Sequence, residues 1–355
     1  MRIAITGVCG FVGSELALRL ARRFAGAQIV GIDNFSRPGS ETMRPRLKAA
    51  GVAVKHGDVR CASDVDAIGD ADWLIDAAAN PSVLAGVDGR TNSRQAVEQN
   101  LVGTLNVLEF CKERGAGLVL LSTSRVYSIA SLNALPLMVR HDAFAPDESA
   151  AWPHGATGAG LTEEFPTTGP VSIYGATKIA SEAMAIAYGD AFALPIAINR
   201  CGVLAGAGQF GTAEQGIFSF WLRAWASDQP LTYLGFDGTG HQVRDALHPE
   251  DLADLVEHQL RAAAGASGIW NVGGGPSNAM SLAQLSAWCA DHFGRREVGA
   301  DRAARRWDVP WVVMDTARAR ARFGWTATIP VVTILDEIAD HHRRHPEWLS
   351  ISQPL

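Results

Sequence analysis

The sequence predicts an α/β fold, a doubly wound parallel sheet with a smaller C-terminal lobe. Short apolar runs alternate with helical patterns as far as Arg125. A glycine-rich turn joins the first run to the first helix. The chain has 355 residues and is 47% hydrophobic, longer than one compact core usually serves.

In chain order the runs and helical patterns fall at residues 2–6, 14–24, 28–33, 42–50, 52–57, 73–78, 94–114 and 118–122. Strands spaced by helices imply parallel pairing, because a crossover is needed to return to the same edge. Residues 195–201 and 269–272 are expected to add strands to the sheet. Between Tyr127 and Tyr174 the periodicity fades under a series of prolines and glycines. A long irregular loop inside a compact domain usually serves a site, and 128–172 is expected to cover the substrate. Beyond residue 200 the chain is glycine-rich and aromatic, with helices expected at 215–226, 249–263, 281–293 and 315–323. Residues 1–200 are thus expected to form the sheet domain and 201–355 mainly the substrate lobe, with 269–272 returning to the sheet.

A net charge of −6 with interspersed signs gives no face for nucleic acid or an anionic membrane. No run of about 18 apolar residues or signal-peptide pattern appears, so a cytoplasmic protein is expected. Cys9, Cys61, Cys111, Cys201 and Cys289 are scattered, without the spacing of a zinc or redox pair. No metal site is expected, and the cysteines read as small buried hydrophobes.

Thr6-Gly7-Val8-Cys9-Gly10-Phe11-Val12-Gly13 follows the first strand and opens the first helix. Gly7 permits the tight turn, Gly10 lets a pyrophosphate reach backbone N–H groups, and Gly13 lets helix and strand pack closely. Asp33 ends the second strand. There it would accept hydrogen bonds from an adenosine ribose and repel a 2′-phosphate, which favours NAD over NADP. Arg37 is expected in solvent, on a turn with Pro38 and Gly39. Asp58 and Val59 are expected beside the adenine, or Asp58 as a helix cap.

Tyr174 and Lys178 stand four residues apart, on one face of a helix running through Ala187. A phenol holds its proton to about pH 10, so it serves as a base only where cations stabilise the phenolate. Lys178 and a positive nicotinamide ring would supply that field. Thr123, at the end of a buried strand, would orient the substrate hydroxyl that Tyr174 deprotonates.

Together these motifs resemble the extended short-chain dehydrogenase/reductase (NAD-dependent epimerase/dehydratase) family, over nearly the whole chain. The resemblance implies a Rossmann domain, NAD, a nucleotide-sugar substrate, and Thr123, Tyr174 and Lys178 as catalytic residues. It assigns Gly7, Gly10, Phe11, Val12, Gly13, Asp33, Asn34, Asp58, Val59, Ala77, Ala78, Ala79, Asn100, Ser122, Tyr174 and Lys178 to the cofactor. Dehydratases of the family carry Asp-Glu after the catalytic Thr; here Ser124 and Arg125 stand there, which disfavours dehydration. The segments 160–166, 208–210, 214–216 and 240–245 are similar to the CDP-tyvelose (CDP-paratose) 2-epimerases. Ser124, Arg125, Arg200, Gln209, Gln215, Arg244 and Arg305 are expected at the substrate, the last two arginines on its diphosphate. Gln209 and Gln215 would read the nucleobase or fix the lid, and Asp251 would cap a helix. Asp76 stands where many relatives have His, and Val203 where 4-epimerases place Asn. The expected reaction is epimerisation at sugar carbon 2 through a 2-keto sugar; UDP-sugar 4-epimerisation, or a non-catalytic NAD sensor, are the alternatives. Apolar residues on several faces of 94–114 and 174–187 imply a homodimer or homotetramer.

Overall fold

The computed structural model describes residues 1–87, 92–212, 215–305, 307–348 and 351. Its centre is a seven-stranded parallel sheet. The strands are β1 (Arg2–Thr6), β2 (Gln28–Asp33), β3 (Ala53–His56), β4 (Trp73–Asp76), β5 (Gly117–Thr123), β6 (Ile196–Cys201) and β7 (Gly268–Val272). Their spatial order is β7-β6-β5-β4-β1-β2-β3, so the order reverses between β1 and β4. In open α/β sheets that reversal leaves a crevice at the strands' carboxyl ends where ligands bind.

Both faces of the sheet are buried. Helix α1 (Phe11–Arg23) and the helix Pro249–Ala262 cover one face through Leu16, Leu20, Leu252 and Val256. Helices α2 (Gly103–Arg114) and α3 (Ile173–Phe192) cover the other through Val107, Phe110 and Ala185. This double burial is why the strands read as unbroken apolar runs rather than alternating ones. The pattern expected at 94–114 is a helix that opens at Ser93–Val97, passes through a π turn at Glu98–Val102 and continues as α2. The expected helix at 42–50 is a 3₁₀ turn, Ser40–Met43, followed by Arg44–Ala49.

The elements beyond β6 are less purely helical than the sequence implies. A small mixed sheet joins Val203–Leu204, Val243–Leu247, Ala279–Ser281 and Trp311–Val312. Helices Ile217–Ala226, Leu282–Phe293 and Val331–Arg344 pack beside it around Trp221, Trp225, Leu285 and Ile334. Segment 128–172 holds a short helix, Ile129–Asn133, and two small hairpins. Tyr127, Leu132 and Phe165 form a core of their own with Trp311 and Met314.

Candidate active site

At the switch point the backbone makes a cradle. Gly7 has φ 61°, and a Cβ there would lie 2.9 Å from the Ala78 Cα. A Cβ on Gly13 would lie 2.1 Å from the Gly7 carbonyl oxygen, so only glycine lets α1 start this close to β1. Gly10 is the N-cap of α1 and makes no side-chain cap, which leaves the first-turn N–H groups of the helix for an anion. Phe11 and Val12 form that half-buried first turn. Asp33 closes β2, where its carboxylate accepts hydrogen bonds from the N–H of Cys9 at 2.9 Å and of Phe35 at 2.8 Å. Burial raises its pKa, against the pull of the Phe35, Cys9 and Gly10 amides. Ala77, Ala78 and the exposed Ala79 follow β4 beside Gly7, with the Ala78 N–H donating to Thr6 Oγ1 at 3.1 Å. An uncapped helix N-terminus, a cradle that any Cβ would fill and a carboxylate at the end of β2 fit a dinucleotide.

Several expectations around this cradle need correction. Arg37 does not lie in solvent: it donates to Gln215 Oε1 at 2.8 Å and also to the Phe210 carbonyl. It therefore ties the loop after β2 to the segment 208–216. Glu214 of that segment lies outside the described residues. Asp58 caps no helix, since Cys61 precedes the helix Ala62–Asp66. It binds Arg60 and Asn34, and hydrogen bonding to Arg60 first of all brings its pKa down to about 2. Cys61 is exposed, unlike the other four cysteines. Val59 is buried against Gly103.

The catalytic candidates meet at the carboxyl end of β5. Ser172 caps α3 by accepting from the Gly175 N–H at 3.1 Å, and this places Tyr174 and Lys178 one turn apart facing the sheet. Gly175 must be small: a Cβ would lie 2.3 Å from the Arg125 carbonyl oxygen. Thr123 is the last residue of β5, and its hydroxyl is close enough to the Tyr174 phenol to act on its charge. Burial pushes that phenol up to about 12; the Thr123 hydroxyl and the Arg125 charge pull it down, and Cys201 raises it. Lys178 is 1% exposed and donates to the Leu121 carbonyl at 2.8 Å. Burial lowers its pKa, while Asp76 and Glu182 raise it.

Other assigned residues are engaged in hydrogen bonds within the protein. The Ser122 hydroxyl is taken by Glu182. Asn100, in the π turn, accepts from the Asn80 N–H at 2.8 Å and donates to the Asn80 carbonyl and to Thr177 Oγ1, both at 3.1 Å. Arg200 is buried, paired with Glu182 at 2.7 Å, and donates to the Glu163 carbonyl at 3.1 Å. Gln209 donates to the Leu204 carbonyl and accepts from Ser219, and Gln215 accepts from Arg37, so both fix the 208–216 segment. Asp251 is no cap; His248 caps that helix. The Asp251 carboxylate instead accepts from the N–H groups of Thr328 and Ile329, clasping the chain before Val331–Arg344.

Beside Tyr174 lies a pocket lined by Ser124, Arg125, Tyr127, Ser172, Trp307 and Val309. The irregular segment contributes Ile129 and Leu132 to its wall and otherwise packs on the chain around Val313. Arg125 lines it, and Arg244 and Arg305 lie near enough for their charges to act on one another. Burial depresses Arg125, with Arg305 adding to the effect. Arg244 is brought down to about 10 by burial first and then by Arg125 and Arg305, against Asp308. It donates to the carbonyls of Val243 and Val309, with Asp308 3.8 Å away. Three arginines faced by the carboxyls of Asp308 and Asp245 keep an excess of positive charge that is suited to an anion. Asp308 and Trp307 escaped the sequence reading; the run Arg305-Arg306-Trp307-Asp308 was their only local signal.

Comparison with known proteins agrees with this geometry. The chain is 27% identical to the CDP-paratose 2-epimerase of Salmonella typhi over 304 residues, covering 82% of this chain and 84% of that protein. It is 26% identical to the dTDP-L-rhamnose 4-epimerase of Burkholderia thailandensis, covering 91% and 90%. Among solved structures, UDP-glucuronic acid 4-epimerase from Bacillus cereus superposes with a TM-score of 0.77 at 21% identity, covering 97% of this chain and 99% of that one. A family model matches residues 3–273, and on that match the chain belongs to the NAD dependent epimerase/dehydratase family, with NAD as its cofactor.

Proposed function

We propose that this protein epimerises the sugar of a nucleotide-diphosphate sugar at carbon 2, through a 2-keto sugar, with Tyr174 as the base. The observation that carries the reading is the buried Tyr174 phenol, set beside the Thr123 hydroxyl and one helical turn from the buried ammonium of Lys178. Gly7, Gly10, Phe11, Val12, Gly13 and Asp33 would hold NAD. Bound there, NAD would supply the reversible hydride acceptance that oxidation of a carbinol and reduction of the resulting ketone require. Tyr174 Oη, as the phenolate, takes the hydroxyl proton, and Thr123 orients that hydroxyl. Lys178 and Arg125 supply the positive field that a phenolate needs against its burial. Arg125, Arg244 and Arg305 hold the diphosphate while the sugar turns, so inversion needs no second base.

Three features support carbon 2 and epimerisation. The segments around Gly160, Gly208 and Gly240 resemble 2-epimerases, Val203 replaces the Asn of 4-epimerases, and Ser124-Arg125 cannot supply the acid and base of a dehydratase. Similarity to a dTDP-L-rhamnose 4-epimerase favours 4-epimerisation as the second reading, because it would use the same Thr123, Tyr174 and Lys178. A sensor without catalysis would have no use for that constellation. The partner of this chain would be a second copy: Val97, Val102 and Leu105 on one helix, and Met184, Ile186 and Phe192 on α3, are exposed.

The deciding experiment incubates the protein with NAD and a panel of CDP-, GDP- and UDP-sugars and assigns product stereochemistry by NMR. Inversion at carbon 2 is the expected outcome. Inversion at carbon 4 replaces this reading with the second, and no inversion of any sugar returns the sensor.

A further inference from the structure

Four ionisable side chains are buried beneath Tyr174: Asp76, Lys178, Glu182 and Arg200, each no more than 5% exposed. Glu182 and Arg200 neutralise one another, with Arg200 Nη2 2.7 Å from Glu182 Oε2 and its Nε 3.1 Å from both carboxylate oxygens. That pairing leaves Asp76 and Lys178. Neither has an ion-pair partner within direct contact among the described residues. Asp76 accepts from Thr6 Oγ1 at 2.6 Å and lies 3.3 Å from Thr104 Oγ1, both neutral groups. Lys178 donates to the Leu121 carbonyl. A buried charge without a compensating one is costly enough that such groups normally neutralise.

The sheet brings the two together. Asp76 on β4 is in register with Leu120 on β5, the residue before the one whose carbonyl holds Lys178. The carboxylate is also wired to α3 on both sides of the lysine. Thr104, whose hydroxyl lies 3.3 Å from Asp76 Oδ2, donates to the Asn100 carbonyl at 2.7 Å and accepts from Ser181 Oγ at 3.2 Å; the Asn100 side chain donates to Thr177. We propose that Asp76 is the counter-ion of Lys178 and positions its ammonium for the reaction.

The groups facing Lys178 from each packed element are few. From its own helix come Tyr174 and Glu182, the latter taken by Arg200; from β6 comes Cys201, whose thiol burial raises to about 12 so that it stays neutral. Cys111 on α2 is likewise raised by burial and by Asp76. Asp76 is thus the one anion in this set not already paired, and its action on Lys178 outranks that of Glu182.

The catalytic part of the inference rests on the role given to Lys178 above, so the primary test avoids turnover. The thermal midpoints of wild type, Asp76→Asn, Lys178→Met and the double variant are measured on the full chain at pH 8. A counter-ion predicts compensation: each single change lowers the midpoint, and the double variant is more stable than Lys178→Met by several degrees. Additive losses overturn the proposal. If a single variant does not fold, recovery of folded protein in the double variant is the same positive result, and its failure to fold is the same negative one. Once a substrate is in hand, Asp76→Asn should move the basic limb of the kcat profile down by about one pH unit or more, since Lys178 then loses its proton more readily. An unmoved limb removes the positioning role, whereas an enzyme inactive on every sugar leaves the stability cycle intact and overturns only the reaction.

Discussion

The two ends of the site are built of different material. At the dinucleotide end recognition comes from backbone: N–H groups at the start of α1, a carbonyl approach that only glycine permits, and one carboxylate that itself binds the loop. At the proposed sugar end it would come from long side chains, Arg125, Arg244 and Arg305, which lie far apart in the chain and act on one another's charge. A backbone cradle must be written as contiguous sequence and fails abruptly when a Cβ is added. An arginine cluster can be assembled from anywhere, and it weakens by degrees. Between the two stands the Thr123, Tyr174 and Lys178 constellation, which belongs to both.

The largest effect is expected where the two ends meet. Tyr174→Phe removes the base but keeps the ring, so turnover should fall by about 10³-fold or more. NAD retention, read from the absorbance of the bound cofactor, should be unchanged. If retention falls equally, the phenol belongs to the cradle rather than to the chemistry. Next comes Gly13→Ala. Its Cβ would press on the Gly7 carbonyl, so helix and strand must separate, at about 1–3 kcal/mol. The protein should lose NAD and melt several degrees lower. An unchanged midpoint would show that the cradle tolerates what the geometry forbids.

This contrast also explains what could be read from the sequence. Gly7, Gly10 and Gly13 and the Tyr174/Lys178 pair are legible because their partners are their own neighbours or lie one turn away. Arg200 and Arg244 are the opposite case. Each is an arginine on a buried strand, but Glu182 comes from α3 to neutralise Arg200, and nothing near residue 200 announces it. Glu182 could have been noticed as the residue one turn beyond Lys178. Arg37 was misplaced for the same reason, since its partners Phe210 and Gln215 lie more than 170 positions on. The strands Val203–Leu204 and Trp311–Val312 have two residues each, too short for any periodicity. The helix Val331–Arg344 is the contrary case, since it buries Ile334, Leu335 and Ile338 at a helical spacing that is written in the local sequence.

A graded response should mark the sugar end. Arg244→Gln keeps a donor but removes the charge, and a hydrogen bond to a charged group contributes about 1.5–3 kcal/mol. KM for the nucleotide sugar should rise about 10- to 100-fold, with kcat and NAD retention little changed. The salt dependence of KM should become shallower, because one fewer cation meets the diphosphate. A fall in kcat with KM unmoved would place Arg244 at the reacting carbon instead.

The smallest effect concerns the residue beside it. Asp245 is fully buried on the same strand, and its carboxylate accepts from the N–H of Gly275 at 3.0 Å and of Met314 at 3.2 Å. Burial raises its pKa to about 6, against those amides and Arg244. A carboxyl whose folded pKa exceeds its unfolded value near 4 binds more protons folded than unfolded between the two. Its contribution to stability is therefore fully present below about pH 4 and is lost as pH rises through about 6. Paired cations and carboxylates elsewhere, such as Asp58 with its lowered pKa, act in the other direction over a lower range. Asp245→Asn should accordingly flatten the pH dependence of the thermal midpoint between pH 4 and 6 by a few degrees, whatever its offset at one pH. A variant whose melting curve runs parallel to wild type across that range would mean that Asp245 is ionised throughout. The Arg244 charge would then be balanced from within its own strand, and the sugar end would be less hungry for an anion than its arginines indicate.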